Sequence, residues 1–191
     1  MSLLLNRFNK WAFIHVPKTG GTSLNHVLKK DTNTEVITGH DSIRILNNVA
    51  DFYIFTIVRN PFTRLASAYN AECRKYGFKE FGTFIKNINE NDSWYLPQVF
   101  YINAGKHETR KVTYIGKYEN YEKSVSTIFS KLDINDNIPH LNRNPIYDKE
   151  PNLNQQKYYS FLYNEDWMLD WVRERYKDDF KIFNYGMDIP R

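Results

Sequence analysis

Apolar positions along the chain fall into short blocks that switch between two spacings. "WAFIHV" (11–16) is a continuous apolar run closed by Pro17, the pattern of a short buried strand. From Thr22 onward Leu24, Val27 and Leu28 recur at helical spacing, and "EVIT" (35–38) reads as another short strand. "FYIFTIV" (52–58) is apolar on both faces, as a buried parallel strand should be. It runs into "RNPFTRLASAYN" (59–70), where Asn60 suits a helix cap, Pro61 the first helical position, and Phe62, Leu65, Ala66 and Tyr69 one apolar face. Phe81, Phe84, Ile85 and Ile88 mark a third helix, "VTYIG" (112–116) a third core strand, and Val125, Ile128, Phe129 and Leu132 the helix after it. "EDWMLDWVRERY" (165–176) predicts a C-terminal helix, with Glu165 and Asp166 in its first turn and Arg173 and Arg175 near its end, as the helix dipole favours.

Strands alternating with helices predict an α/β class with a small parallel sheet between helical layers. The stretch 133–156, rich in Asn, Asp and Pro, reads as one long loop. Neither repeats nor linkers interrupt the 191 residues, so one domain over 1–191 is expected.

Composition narrows the field. Aromatic residues make up 16% of the chain, which excludes a disordered segment. A net charge of +4 suits an anionic ligand but is too small to require nucleic acid. Cys73 is the only cysteine, so no internal disulfide or cysteine-based zinc site can form. "LLL" near the start is too short for a signal peptide, and no stretch reaches the length of a membrane span. The expectation is a cytoplasmic protein with no integral membrane association and no nucleic-acid partner.

Candidate chemistry begins in "HVPKTGGTS" (15–23), between the first strand and the first helix. Exposed N–H groups at a helix N-terminus bind anions. Gly20 and Gly21 let a ligand approach the backbone, Thr22 and Ser23 add hydroxyls, and Lys18 adds a full charge. The glycines alone would fit a simple turn before a helix. A Walker A loop requires its lysine after the glycines, and here Lys18 precedes them. G-x-G-x-x-G and H-E-x-x-H are both absent. In the second stretch, Arg59 follows a strand, where ligands collect in open α/β sheets, and its fork matches phosphate oxygens.

Together the two stretches resemble the sulfotransferases that use 3′-phosphoadenosine 5′-phosphosulfate (PAPS). "PKTGGTS" (17–23) is similar to their 5′-phosphosulfate loop and "VRNPFTRLASAY" (58–69) to their 3′-phosphate motif. The loop form is closest to the carbohydrate, family 2 type, branch. Softer echoes are "PQVFYI" (97–102), "TYIGKYENYEKSVSTIF" (113–129), "PHLNRN" (139–144) and "RYKDDFKIFNYG" (175–186). The resemblance implies a single sulfotransferase domain with a three-layer P-loop-like fold, a small central parallel sheet flanked by helices. It implies PAPS as donor, 3′,5′-adenosine bisphosphate (PAP) as product, and no metal.

The resemblance also distributes roles. Lys18, Thr19, Gly20, Gly21, Thr22 and Ser23 would bind the 5′-phosphosulfate, and Arg59 and Ser67 the 3′-phosphate. Asn142 and Arg143 would lie near the nucleotide on the late loop, together with His140. Lys18 suits the leaving side of an in-line transfer, where negative charge grows. A neutral imidazole suits an alcohol proton near pH 7. Among the histidines, His15 fits the core, His26 an exposed helix face and His107 a solvated turn. His40, after Gly39 and between the two motifs, is the expected base, with Asp41 or Glu119 as fallback. Gln98 and Trp94 are candidates for an acceptor cleft, or else pack the core. The acceptor would be a carbohydrate or another hydroxyl compound. Two other readings stay open: a P-loop-like nucleotide kinase with a reversed loop, and a non-catalytic module that binds polyanions.

Overall fold

The structure is a computed structural model, and it describes residues 3–37, 42–77, 80–103, 111–138 and 155–190. The chain divides into two compact units, one built from Met1–Arg59 and Gln98–Asn142, the other from Asn60–Pro97 and Arg143–Arg191.

The first unit holds a five-stranded sheet in the order β3-β1-β2-β4-β5. Its strands are β1 (Leu3–Asn6), β2 (Trp11–Ile14), β3 (Thr34–Ile37), β4 (Tyr53–Val58) and β5 (Tyr114–Lys117). β2, β4 and β5 run parallel, with Phe13 opposite Phe55 and Val58 opposite Lys117. The sheet is mixed, which corrects the expected parallel one: β1 pairs antiparallel with both β2 and β3. The cause is the four-residue turn 7–10, too short for the crossover that parallel neighbours need. Asn6 Oδ1 accepts from Asn9 N–H at 2.7 Å and tightens that turn. "LLL", passed over in the sequence as too short an apolar run, is therefore a fully buried interior strand.

Side chains alternate across the strands as the pleat requires. On one face Leu4, Trp11, Phe13, Phe55 and Ile57 pack with Leu24, Val27 and Leu28 of α1 (Gly21–Leu28) and with Val125, Ile128 and Phe129 of α2 (Tyr121–Leu132). The opposite positions, Leu3, Leu5, Ala12, Ile14, Ile54 and Val58, are buried as well, which explains the unbroken apolar runs. A short helix, α3 (Gln98–Ile102), precedes β5 in the chain.

The second unit is helical: α4 (Pro61–Tyr76), α5 (Phe81–Lys86), α6 (Gln155–Leu162), α7 (Asp166–Arg175) and α8 (Lys177–Ile182). α4 starts as its sequence requires, with Pro61 in the first turn and the Asn60 side chain accepting from Phe62 N–H at 2.9 Å. Gly77, at φ 72°, closes its other end. α6 begins inside the stretch expected to be loop. No helix among the described residues is long and apolar enough to cross a membrane.

This unit has an aromatic core with buried hydroxyls. Tyr158 donates to Asn70 Oδ1 at 2.5 Å, Tyr163 to the Phe62 carbonyl at 2.7 Å and Tyr176 to the Tyr95 carbonyl at 3.0 Å. Arg64, buried, donates to the carbonyls of Trp94 and Leu96. Burial is the main cause that pushes the hydroxyls of Tyr158 and Tyr176 up to about 12, and those of Tyr69 and Tyr95 further.

A phenol that holds its proton more tightly when folded stabilises the fold below its unfolded pKa of about 10, and that stability drains away as pH rises toward the folded value. The melting temperature should therefore hold from neutrality to about pH 9 and fall steeply above about pH 10. Tyr158→Phe should reduce the alkaline fall. A melting temperature flat to pH 11 would contradict the role given to these hydroxyls.

Candidate anion-binding site

Between β2 and α1 the chain passes through His15, Val16 and Pro17, all buried, and then makes two left-handed steps, at Lys18 (φ 69°) and Gly20 (φ 82°). Such a step is unusual for lysine and easy for glycine. Gly20 caps α1 without a side chain, and the first turn of α1 carries no acidic residue. No carboxylate of that turn therefore competes for its N–H groups.

The loop carbonyls are drawn toward the protein. Val16 C=O accepts from Thr19 Oγ1 at 2.8 Å, Lys18 C=O from Arg59 Nη1 at 3.3 Å and Gly20 C=O from Tyr121 Oη at 2.8 Å. Every peptide bond among the described residues is trans, so each N–H points away from the carbonyl of its own peptide plane. The N–H groups of Thr19 and Gly21 thus face opposite to the carbonyls held by Arg59 and Tyr121. Positive dipole ends on one side and anchored carbonyls on the other make a cradle for an anion.

Crowding explains both glycines. A Cβ on Gly20 would come within 2.7 Å of the Tyr121 ring and 3.1 Å of the Tyr118 ring. A Cβ on Gly21 would meet the His15 imidazole at 2.3 Å. That imidazole is 2% exposed, stacks on Phe13 with centroids 5.7 Å apart, and places Nδ1 3.2 Å from Asn25 Nδ2. His15 is thus a wall beneath the loop, in keeping with its expected place in the core. The Tyr121 hydroxyl, pushed up to about 12 chiefly by burial and then by Tyr118, keeps its proton and remains a donor at neutral pH.

Arg59 follows the last residue of β4. Its guanidinium carbon lies 4.1 Å from the centroid of the Tyr118 ring, close enough for cation–π attraction. Its backbone N–H donates to Gln98 Oε1 at 2.8 Å, and its carbonyl accepts from Gln98 Nε2 at 2.7 Å. Lys18, Thr19, Gly20, Gly21, Thr22, Ser23, Arg59 and Gln98 all belong to the first unit; Ser67, half-buried on α4, and Trp94 belong to the second. Trp94 packs partly against the aromatic core there. His26 and Glu119 are exposed. His40, Asp41, His107, His140, Asn142 and Arg143 lie outside the described residues.

Sequence reasoning missed Tyr118 and Tyr121. They stand about a hundred positions after the loop, and the only hint was the aromatic spacing in "YENY" (118–121).

A family model described as the sulfotransferase family matches residues 1–186, a span that runs through both units. No match was found among curated proteins or among solved structures.

The His15 wall yields a prediction. Gly21→Ala should destabilise the protein by about 1–3 kcal/mol, the usual cost of overpacking, and distort the cradle. His15→Ser combined with Gly21→Ala should recover part of that loss, because the pair shares one space. Chemical denaturation of the two single variants and the double variant measures the coupling; additive losses would mean that the imidazole does not press on residue 21.

Proposed function

Because the chain belongs to the sulfotransferase family, a family of sulfuryl transferases, we propose that it moves a sulfuryl group from PAPS to a hydroxyl of a carbohydrate. The observation that carries this reading is the loop with its carbonyls anchored by Thr19, Arg59 and Tyr121 and its two glycines pressed by aromatic rings. A cradle for an anionic group with no room for a Cβ fits the 5′-phosphosulfate of that donor. We read β2, the loop and α1 as the P-loop-like element of a three-layer fold. The carbohydrate acceptor rests on the P-K-T-G-G-T-S form of the loop, with Trp94 as an aromatic contact.

Lys18, Thr19, Gly20, Gly21, Thr22 and Ser23 would hold the 5′-phosphosulfate. Arg59 and Ser67 would hold the 3′-phosphate, with Asn142 and Arg143 near the nucleotide. When bound, PAPS supplies the sulfur–oxygen bond that breaks and an anionic leaving group. The Lys18 ammonium neutralises charge as it develops on the leaving oxygen, and positioned charge of this kind accelerates transfer without a metal. His40 takes the proton from the acceptor hydroxyl, so that the oxygen attacks as an alkoxide-like nucleophile.

Calorimetric titration with PAP in the presence of a chelator tests the reading. PAP should bind without metal and more tightly than ATP with magnesium; no heat at millimolar PAP would overturn it. Lys18→Ala should lower kcat by roughly 10²–10³-fold, the usual cost of a lost charge-stabilising donor, and weaken PAP much less. Equal losses in both would reduce Lys18 to an anchor.

His40→Ala should leave PAP affinity nearly intact while turnover falls by roughly 10²–10⁴-fold. The wild-type rate should rise with pH through a value near the histidine pKa of about 6.5, and the variant should lose that limb. An unchanged limb in the variant would transfer the role to Asp41 or Glu119.

A further inference from the structure

The side chain of Gln98 has a task that its place in an aromatic stretch does not suggest. It is 0% exposed, and its amide meets Arg59 twice, accepting from the N–H at 2.8 Å and donating to the carbonyl at 2.7 Å. In extended chain the N–H and C=O of one residue point to the same side, so a neighbouring strand exchanges two hydrogen bonds with it. Here one side-chain amide supplies both bonds in place of a strand.

The position matters. β4 is in register with β5 as far as Val58 opposite Lys117, and Arg59 is the next residue. Gln98 therefore extends the pairing of β4 by one residue, and that residue carries a guanidinium. The guanidinium in turn stacks on Tyr118 and reaches the carbonyl of Lys18. A long side chain amplifies any rotation at its own Cα, and a displacement of about 1 Å in a binding group can cost about 10²-fold.

We propose that Gln98 is a positioning residue: by clamping the backbone of Arg59 it aims the guanidinium at the anionic donor and holds the carbonyl of Lys18. This takes the place of the acceptor contact expected for Gln98, and it rests on the donor reading of Arg59 given above. The chemistry demands glutamine. Methionine has the length and neither hydrogen bond. Glutamate keeps the acceptor for the N–H and, when ionised, sets a second oxygen against the Arg59 carbonyl. Asparagine is one methylene short.

The test compares Gln98→Met, Gln98→Glu and Arg59→Ala with wild type in two measurements. The first is nucleotide affinity by calorimetry, with PAP and with adenosine 5′-phosphate, which lacks the 3′-phosphate. Gln98→Met should weaken PAP by about ten-fold or more, the loss expected for a misplaced charge-assisted bond, and adenosine 5′-phosphate clearly less. Gln98→Glu should fall on the same side of wild type. Equal factors for both nucleotides would make Gln98 merely structural, and unchanged affinities with a raised acceptor KM would make it an acceptor contact; either result overturns the proposal.

The second measurement is hydrogen exchange at the Arg59 amide, which needs no nucleotide. The amide should be protected in wild type and in Gln98→Glu, and opened in Gln98→Met. Unchanged protection in Gln98→Met would overturn the clamp whatever the nucleotides do. A wild type that binds PAP no better than adenosine 5′-phosphate, with Arg59→Ala unaltered, would instead overturn the 3′-phosphate assignment, and the exchange result would still decide the clamp.

Discussion

The site depends on which way a few peptide planes face. A trans peptide cannot present its N–H and its C=O to the same side, so a loop that offers positive dipole ends to an anion must dispose of the carbonyls elsewhere. In this chain two donors dispose of them: Arg59 from the end of β4 takes the Lys18 carbonyl and Tyr121 from the first turn of α2 the Gly20 carbonyl, while the Val16 carbonyl held by Thr19 precedes Pro17, whose nitrogen has no hydrogen to present. The left-handed backbone at Lys18 and Gly20 turns the planes, and the side chains fix them.

This division of labour gives several residues two constraints at once. Gly20 must adopt a positive φ and must also leave room for Tyr118 and Tyr121. Gly21 has no positive φ; the nearest obstacle to a side chain there is the imidazole behind it. Arg59 has to keep its charge available for an anion while its Nη1 serves a carbonyl and its plane rests on an aromatic ring. Arginine suits this combination because its donors form a rigid fork and its flat face stacks. Lysine, a single point charge on a flexible stem, would satisfy one of these demands at a time.

Much of the layout was legible from local pattern. β2, β4, β5, α1, α4 and the C-terminal helix each carry a period, a cap or a breaker within a few residues of their ends. Asn60 and Pro61 mark the start of α4 without any tertiary information. β1 was not legible, because three leucines fit too many structures; only the tight turn after Asn6 and the pairing with two other strands define it. At the site, the loop and Arg59 stood out by residue type and order. Tyr118, Tyr121 and the clamp by Gln98 did not, because their roles lie in contacts across wide sequence separations, and a buried glutamine in an aromatic stretch looks the same whether it faces a ligand or a backbone.

The pairing of Gln98 with Arg59 has a topological side. The first unit loses the chain after Arg59 and regains it at Gln98, so the two ends of the excursion through residues 60–97 are fastened to each other. An excursion with joined ends leaves and re-enters the first unit at one point, although it is itself folded, with α4 and α5 inside it. Within that segment residues 94–96 are tied down by Arg64 and Tyr176, so a change of length is easiest at the exposed turn 89–92. A change of length at that turn is thereby separated from the loop that carries Lys18 by one glutamine, which keeps Arg59 in place whatever the turn does.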